Sequence, residues 1–298
     1  MNRITVIGSC AIDITVIADK RPVAGETILG KGLNMSPGGK GANQAVAAAK
    51  LGAEVTMIGC VGNDAYGDMI IDNLKTYGIN TDYMVRREGE SSGTAHITLA
   101  EGDNSIIVLL GANATLDHSV IDASWEAIAS SDLVMVQNET PIDTINYLVE
   151  RAEAAGVKVL LNPAPAANLP AACIEKAAYL TPNEHEFNIL CESLSSLEES
   201  EIFAKLEGKL LITQGSKGVA YCKEGKLELV PAYSVTNVVD TTGAGDTFNS
   251  GFAVALVNGK SMEEAIRYGN AAAALSIQKL GAQGGMPTKE EVEYFLAN

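Results

Sequence analysis

Residues 238–252 read VVDTTGAGDTFNSGF, and the rest of the chain is organised around them. The apolar start of this stretch predicts a strand, and the residues after Gly245 predict a helix. Three small residues, Gly243 to Gly245, lie where that helix would begin. The first N–H groups of a helix have no partner inside the helix, and the helix dipole is positive at this end. This glycine turn (residues 243–245) is therefore suited to binding an anion such as a phosphate group.

A carboxylate follows the glycine turn directly. Asp246 cannot usefully bind the anion itself, but it is well placed to take a proton from a hydroxyl group that attacks a bound phosphate. The combination indicates phosphoryl transfer. The alternative interpretation is an ordinary helix start, with Thr242 or Asp246 as the N-terminal cap and the glycines as turn residues.

A second glycine-rich segment, residues 37–45, reads PGGKGANQA. Its glycines have no side chain, so the backbone can approach a polyol closely. Lys40 and Asn43 supply hydrogen-bond donors and an acceptor for hydroxyl groups. An alanine-rich helix is predicted to follow over residues 44–51.

Short apolar runs alternate with helical segments along most of the chain. The clearest predicted strands are residues 4–9, 133–137, 157–161 and 179–181. The clearest predicted helices are residues 66–77, 142–155, 246–258 and 263–280. This alternation predicts an α/β fold with a mostly parallel central sheet and helices on both faces.

Two carboxylates come just after predicted strands. Asp13 follows the first strand, and Glu139 follows the strand over residues 133–137. In an open parallel sheet, ligands bind beyond the carboxyl ends of the strands, which is a favourable place for gripping a sugar hydroxyl. A surface turn or a helix cap is the alternative interpretation of each residue.

The whole chain resembles the ribokinase/PfkB family of carbohydrate kinases. Residues 240–248, DTTGAGDTF, resemble the family's C-terminal signature, and residues 37–45 resemble its N-terminal Gly-Gly motif in the variant typical of the ribose kinases. Other matching stretches follow in the family's order: NETP at 138–141, LNPAPA at 161–166, TPNEHE at 181–186 and GAQ at 281–283.

The resemblance implies a single ribokinase-like α/β domain over residues 1–298. Residues 14–35 alternate polar and apolar side chains, as short antiparallel strands do. By resemblance, they form with residues 93–110 a small antiparallel β lid over the sugar site. In the family this lid also pairs two subunits, so the expected assembly is a homodimer.

The resemblance also implies a role for each candidate residue. Asp246 is the general base, and Gly243, Ala244 and Gly245 hold the charge that develops on the transferred phosphoryl group. The residues implied in sugar binding are Asp13, Gly38, Gly39, Lys40, Asn43, Glu139 and Asp246. The residues implied in nucleotide binding are Asn183, Thr213, Gly215, Gly245 and Asn270.

Three cofactors are implied in the same way: ATP, Mg²⁺ and a monovalent cation such as K⁺. Glu186 matches a residue that contacts magnesium through water. The residues that match the ligands of the monovalent cation are Asp240, Thr242, Ser276, Lys279, Gly281 and Gly285. Family members often carry serine at the position of Gly285, so the site predicted here lacks one side-chain oxygen.

Composition excludes several classes of partner. Lys and Arg total 21 against 37 Asp and Glu, and the formal net charge of −16 repels nucleic acid and anionic membrane surfaces. The five cysteines are widely spaced without a Cys-x-x-Cys pair, which indicates thiols in a reducing compartment. Neither a secretory signal nor a membrane span is evident. We therefore expect a cytoplasmic enzyme whose partners are small molecules.

The glycine turn with Asp246 and the family resemblance together predict transfer of the γ-phosphoryl group of ATP to a primary hydroxyl of a small sugar. The resemblance of residues 37–45 implies that this sugar is D-ribose, giving D-ribose 5-phosphate. Ala11 departs from the pattern, because ribose kinases of the family usually carry asparagine two residues before the aspartate that matches Asp13. Alanine cannot hydrogen-bond a sugar hydroxyl. Deoxyribose, fructose or a nucleoside remains an alternative substrate, and a non-catalytic sugar- or nucleotide-binding regulator remains an alternative function.

Overall fold

Three β-sheets and their covering helices make up the part of the chain that the computed structural model describes, residues 2–195 and 197–298. The strands are β1 (Arg3–Ile7), β2 (Ala11–Ile17), β3 (Gly32–Gly38), β4 (Glu54–Gly62), β5 (Asn80–Arg87), β6 (Gly93–Ala100), β7 (Asp103–Leu109), β8 (Leu133–Gln137), β9 (Val159–Asn162), β10 (Tyr179–Leu180), β11 (Leu211–Thr213), β12 (Gly218–Lys223) and β13 (Lys226–Pro231). The helices are α1 (Lys40–Lys50), α2 (Ala65–Thr76), α3 (His118–Ala123), α4 (Trp125–Ala129), α5 (Ile142–Ala154), α6 (Ala171–Lys176), α7 (Glu184–Ser193), α8 (Glu199–Lys205), α9 (Ala244–Val257), α10 (Met262–Ser276), α11 (Ala282–Gly285) and α12 (Lys289–Ala297). None of the described helices is long and apolar enough to cross a bilayer.

The central sheet has the strand order β10-β9-β8-β1-β4-β5, and each neighbouring pair is parallel. The chain begins in the middle of this sheet, moves outward through β4 and β5, and later continues on the other side of β1 through β8. The strand order therefore reverses between β1 and β8. In open parallel sheets, the carboxyl ends of the two strands at such a reversal frame the ligand-binding crevice.

Helices cover both faces of the central sheet, and each face has its own buried apolar core, as the sequence predicts. Successive side chains of a strand point to opposite faces. On β1, Val6 packs into one core and Ile7 into the other. Phe252 of α9 is fully buried in the first core, and burial of a side chain of this size stabilises the fold by about 1.5–3 kcal/mol.

The segments predicted to form the lid contribute to a separate four-stranded sheet in the order β3-β2-β6-β7, for which the name lid is kept. Its β2–β3 and β6–β7 pairs are antiparallel, but β2 pairs with β6 in parallel. The lid is therefore mixed, because β2 and β6 are joined by a long crossover through β3, α1, β4, α2 and β5 instead of a tight turn. The small sheet that is antiparallel throughout is β11-β12-β13.

Two local predictions are wrong. Val238 and Val239 form no strand: they are 56% and 49% exposed, and the N–H groups of Val239 and Asp240 both donate to the carbonyl of Ile277. Apolar residues favour a strand only where a neighbouring strand is available for pairing.

Helix α1 begins at Lys40, four residues earlier than predicted. Gly39 at φ +88° turns the chain into the helix, and its carbonyl accepts the N–H of Asn43 at 2.8 Å. Lys40 and Asn43 therefore project from the first turn of a helix and not from a loop.

Candidate active site

A pocket with a volume of about 170 Å³ lies beyond the carboxyl ends of the central strands. It is lined by the start of α1, the ends of β9 and β11, the start of α7 and the start of α9. The residues singled out from the sequence that line it are Lys40, Asn183, Glu186, Thr213, Gly243, Ala244, Gly245 and Asp246. Residues that are up to 206 positions apart in the chain thus meet in one place, at the edge of the sheet where the prediction put them.

The glycine turn has the geometry of an open helix N-terminus. Gly243 is the N-cap of α9, with φ +77°, and no side chain caps the helix. The alternative in which Thr242 or Asp246 is the cap is therefore wrong. The N–H group of Ala244 donates to the carbonyl of Thr241 at 3.2 Å, whereas those of Gly245 and Asp246 have no acceptor among the described residues. These two donors remain available to an anion in the pocket.

Two stacked rings hold α9 in place behind the glycine turn. Phe248 and Phe252 are one helical turn apart, with ring centroids 6.1 Å from each other, and both are buried in the core. The first turn of the helix is thereby attached to the sheet through apolar packing. It presents Asp246 to the pocket from a rigid element.

Asp246 is 7% exposed, and each of its carboxylate oxygens accepts an amide hydrogen. Asn43 Nδ2 donates to Oδ2 and Gln44 Nε2 donates to Oδ1, both at 3.1 Å. Burial raises the pKa of Asp246, while the Lys40 charge and these two donors act in the opposite direction. The result is a buried carboxylate that is a stronger base than an exposed aspartate.

Lys40 is the cation among the pocket's carboxylates. Burial of its side chain opposes the charge, but Asp246, Glu139 and Glu186 together raise its pKa above the usual value. Lys40 therefore stays protonated. It lines the same pocket as the glycine turn, and its ammonium group can attract a phosphate there.

Asp13, predicted to follow the first strand, lies within β2, and Glu139 lies two residues after β8. Neither is among the residues that line the pocket, but the charges of both interact with that of Asp246. Burial, with smaller contributions from Glu139 and Asp246, raises the pKa of Asp13 to about 6. Glu139 accepts hydrogen bonds from the Ser9 hydroxyl and, at 3.0 Å, from the backbone N–H of Lys40. Since Ser9 follows β1, these bonds join the two strands between which the strand order reverses.

Gly38 and Gly39 allow the chain to pass close to these groups. A β-carbon on Gly39 would lie 2.9 Å from the backbone of Cys10 and Ala11. A side chain at this position would therefore push the start of α1 away from β2.

Of the predicted nucleotide residues, Asn183, Thr213 and Gly245 are among the residues that line the pocket, whereas Gly215 and Asn270 are not. Asn183 and Thr213 are paired by a parallel β-bridge and line the pocket, and Asn183 forms a reciprocal capping box with Glu186 at the start of α7. Gly215 is exposed at the start of a short 3₁₀ helix, Gly215–Lys217. Asn270 is buried on α10 and donates to the carbonyls of Val230 and Pro231, so its amide holds β13.

The residues predicted for a monovalent cation come together beside the glycine turn. Asp240 accepts bonds from the N–H and hydroxyl of Thr242 and from the N–H of Gly281. Although burial acts in the opposite direction, these bonds lower the pKa of Asp240, which stays ionised.

The oxygens at this place suit the predicted ion. The position of a β-carbon on Gly285 lies 2.4 Å from the carbonyl oxygen of Ser276 and 3.5 Å from that of Lys279, so the Ser276 carbonyl occupies the space that a side chain would need and the Lys279 carbonyl lies beside it. A carboxylate with backbone carbonyls is a donor set that fits K⁺.

Magnesium has no all-protein cage in the described part of the chain, where no three His, Cys, Asp or Glu side chains are grouped for a metal ion. Mg²⁺ usually keeps several waters and binds through one or two carboxylates and the substrate's phosphates. Glu186 fits this requirement as a pocket carboxylate. Burial raises its pKa, whereas the Asn183 N–H and Lys40 act against that shift.

Sequence reasoning assigned no role to several buried amides around Asp246. Gln44 and Gln137 are both 0% exposed, and Asn162 is buried beside them. The sequence did contain a signal, because both glutamines are polar residues in apolar segments. Gln44 interrupts an alanine-rich helix, and Gln137 ends an apolar strand. Buried amides of this kind need hydrogen-bond partners, so they point to an internal polar network.

Known proteins are similar to this chain along its length. The model of the pfkB family of carbohydrate kinases matches residues 1–289. The ribokinase of Bacillus subtilis (strain 168) is 51% identical over 297 residues, which cover all of both chains. The deoxyribokinase of Salmonella typhi is 36% identical over 305 residues, covering 99% of this chain and 98% of its own. Among solved structures, Arabidopsis thaliana ribokinase complexed with ribose and ATP is 34% identical, with a TM-score of 0.90 over 100% of this chain and 99% of that one.

Proposed function

The chain belongs to the pfkB family of carbohydrate kinases, and we propose that it transfers the γ-phosphoryl group of ATP to the primary hydroxyl of D-ribose, giving D-ribose 5-phosphate and ADP. One observation carries this proposal: Asp246, a buried carboxylate, follows directly after an uncapped helix N-terminus that opens into the same pocket. The 51% identity to a ribokinase along the full length supports ribose as the sugar.

Asp246 is the general base in this reaction. It takes the proton of the primary hydroxyl while the hydroxyl oxygen attacks the γ-phosphorus, and the bond from that phosphorus to the ADP oxygen breaks. The N–H groups of Gly245 and Asp246, which have no acceptor among the described residues, and the Lys40 ammonium face the charge on the transferred group. Because these donors are fixed by the fold before the reaction, little reorganisation is required as the charge develops.

The sugar is held by groups on both sides of Asp246. The Asp13 and Glu139 carboxylates accept hydroxyl protons, Lys40 and Asn43 donate, and the bare backbone of Gly38 and Gly39 lets the ring approach. The support for this set is its arrangement around the pocket, with Asn43 bonded to Asp246 and Lys40 bonded through its backbone to Glu139.

ATP lies along the other side of the pocket. Asn183, Thr213, Gly215, Gly245 and Asn270 are its proposed contacts. Magnesium, with Glu186 as a contact through water, neutralises phosphate charge when it is bound. Asp240, Thr242 and Gly281, with the carbonyls of Ser276 and Lys279 beside Gly285, would hold a monovalent cation such as K⁺, which would supply positive charge beside the glycine turn.

The assembly we propose is one ribokinase-like domain per chain, with residues 14–35 and 93–110 as the lid, paired into a homodimer through that lid. Support comes from the outer strand β7, where Ile106, Ile107, Val108 and Leu109 are all exposed. An apolar edge strand of this kind is usually covered by another chain.

We propose the cytoplasm as the compartment of the protein. Its dependence on ATP supports this proposal, and so do the buried thiols of Cys10, Cys60, Cys173 and Cys222.

Deoxyribose is the second candidate substrate, and Ala11 favours it. Where this chain has a buried methyl group, no hydrogen bond to a sugar hydroxyl is possible. The similarity to a deoxyribokinase at 36% identity adds to this argument.

The proposal is tested by a coupled assay of ADP release with ATP, Mg²⁺ and a panel of sugars. We expect the highest kcat/KM for ribose, followed by 2-deoxyribose, with fructose and nucleosides far lower. Mass and NMR analysis of the product identifies the phosphorylated carbon. ADP release with none of the sugars, despite ATP binding, would overturn the proposal in favour of a regulatory protein.

A further inference from the structure

Gln44 is placed directly behind the carboxylate of Asp246. Its Nε2 donates to Asp246 Oδ1 at 3.1 Å and to Asn162 Oδ1 at 3.2 Å. Its Oε1 accepts the amide of Gln137 at 2.7 Å. Because the nitrogen faces two acceptors and the oxygen faces a donor, this network allows only one orientation of the Gln44 amide.

The other oxygen of Asp246 is held by a second chain of amides. Asn43 donates to Asp246 Oδ2, while Asn43 Oδ1 accepts Gln283 Nε2 at 3.1 Å, and Gln283 Oε1 accepts Asn73 Nδ2 at 2.8 Å. Asn43 and Gln44, both on α1, therefore each donate a hydrogen bond to a different carboxylate oxygen of Asp246. The carboxylate of Asp246 cannot rotate without breaking one of these bonds.

We propose that Gln44 is a positioning residue for the catalytic base: its amide fixes the rotation of the Asp246 carboxylate and stabilises its ionised form for proton transfer. This inference rests on the proposed function, in which Asp246 receives the hydroxyl proton. A carboxylate has about four lone-pair sites on two oxygens, so the two amide donors leave room for the hydroxyl proton. Without the Gln44 amide, no other side chain among the described residues donates a hydrogen bond to Asp246 Oδ1.

The charges around Asp246 come from four elements. They are Lys40 on α1, Asp13 on β2, Glu139 after β8 and Glu186 on α7. Three are carboxylates that disfavour a further negative charge, and Lys40 alone favours it. Donation from Gln44 opposes the carboxylates, so its removal raises the pKa of Asp246 and fewer molecules have an ionised base at a given pH.

The test compares Gln44→Met with Gln137→Met. Methionine has nearly the shape of glutamine without its amide. Both glutamines are fully buried and bonded to each other, so both variants disturb the same network, but only Gln44 touches Asp246. Thermal unfolding measures the structural cost of each change. Steady-state rates with ribose and ATP as a function of pH measure the catalytic cost.

We expect kcat to fall by about 10- to 100-fold in Gln44→Met, with a smaller change in the KM for ribose, because the base is mispositioned while the sugar contacts persist. The acid limb of the rate profile should move to higher pH. In Gln137→Met the melting temperature should fall to a similar extent, whereas the acid limb should stay where it is in the wild type. Equal effects of both variants on kcat and on the acid limb would overturn the proposal and leave Gln44 a purely structural residue.

A second measurement does not depend on turnover. Carbon-13 NMR of protein labelled at aspartate, with the Asp246 signal identified by its loss in Asp246→Asn, gives the pKa of this carboxyl directly. A higher value in Gln44→Met than in the wild type and in Gln137→Met supports the proposal, and equal values in all three overturn it. If the wild type phosphorylated no sugar, the proposed function would fail, yet this titration would still decide whether Gln44 controls Asp246.

Discussion

The carboxylate of Asp13 occupies the space that a side chain at Gly38 would need. A β-carbon built on Gly38 would lie 2.4 Å from Oδ2 of Asp13 and 2.5 Å from Oδ1. The two residues are on the paired strands β2 and β3, where Asp13 lies opposite Ser36 and Gly38 opposite Ala11. Glycine at position 38 is therefore what allows the Asp13 side chain to lie across the strand pair, where its charge interacts with that of Asp246.

Gly38→Ala should displace the Asp13 carboxylate while leaving the fold intact, because the obstructing atoms are at the end of a side chain. Loss of a hydrogen bond from a charged group costs about 1.5–3 kcal/mol, so the KM for ribose should rise about 10-fold or more. Steady-state kinetics and thermal unfolding check both parts. Gly41→Ala is the matched control: its β-carbon would lie 2.7 Å from the backbone of Gly8 and Ser9, so this variant should lose stability. An unchanged KM in Gly38→Ala would contradict the prediction.

Asp13→Asn should make the protein more stable and less active. The folded-state pKa of about 6 lies above the value of about 4 for an unfolded chain, so the ionised carboxylate destabilises the fold. This cost is absent below pH 4, grows between pH 4 and pH 6, and is complete at pH 7. The free energy of unfolding of Asp13→Asn should therefore exceed that of the wild type by about 1–3 kcal/mol at pH 7, and the gain should vanish near pH 4. Urea unfolding at both pH values measures the difference, and an equal gain at both would rule out this titration as its cause.

Asp246→Asn should abolish most turnover while substrates still bind. Removal of a positioned general base typically lowers the rate by about 10²- to 10⁴-fold. Asparagine keeps the size of the side chain, so calorimetric binding of ribose and ATP should change little. A purified variant that phosphorylates ribose at close to the wild-type rate would show that Asp246 is not the base.

Potassium should raise kcat several-fold over buffers that contain only choline chloride at equal ionic strength. The carbonyl oxygens of Ser276 and Lys279 lie beside Gly285, and Asp240 accepts a hydrogen bond from the N–H of Gly281 in the same segment of the chain. Gly285→Ala would place a β-carbon 2.4 Å from the Ser276 carbonyl and should remove the response. Since bound ions stabilise the state that binds them, the melting temperature of the wild type alone should rise in potassium. Equal rates and melting temperatures in both salts would contradict the site.

Ala11→Asn should sharpen the preference for ribose over 2-deoxyribose. An asparagine amide can bond a sugar hydroxyl, and a buried amide left without its partner costs about 1–3 kcal/mol, which is about 5- to 150-fold. The measurement is the ratio of kcat/KM for the two sugars in both proteins. An unchanged ratio would remove position 11 from the specificity argument, and a wild-type preference for 2-deoxyribose would make that sugar the substrate.

Features set by neighbouring residues could be predicted from the sequence. The glycine turn, the carboxylate after it and the parallel sheet depend on local conformation and on the apolar pattern of single segments. The prediction of a strand at Val238 was wrong because a strand needs a pairing partner from another part of the chain, and the local sequence does not show whether that partner is present. The start of α1 was misplaced because Gly39, with a positive φ, belongs to the turn, so the helix could begin directly after it.

The contacts that tune the base could not be predicted in this way. Gln44 and Asp246 are 202 residues apart, and no local pattern connects them. Their bond exists because α1 and α9 pack against each other, as the hydrogen bond from the Ser250 hydroxyl to the Gln44 carbonyl at 2.8 Å also shows. Only the presence of a buried amide in an apolar helix indicated that such a partner must exist.

The strand that carries Ala11 and Asp13 belongs to the lid, where it pairs with β3 on one side and β6 on the other. The glycine turn and Asp246 belong to α9, on the main body. In the proposed site, the lid thus contributes Asp13 and position 11 to the sugar side, whereas Lys40, Asn43, Glu139 and the groups that face the phosphate lie on the main body. In the proposed homodimer, a chimaera that takes residues 11–38 and 93–109 from a relative would inherit that relative's strand with positions 11 and 13 together with the proposed pairing surface, so a change of sugar preference made by exchanging lids would be linked to the compatibility of subunits.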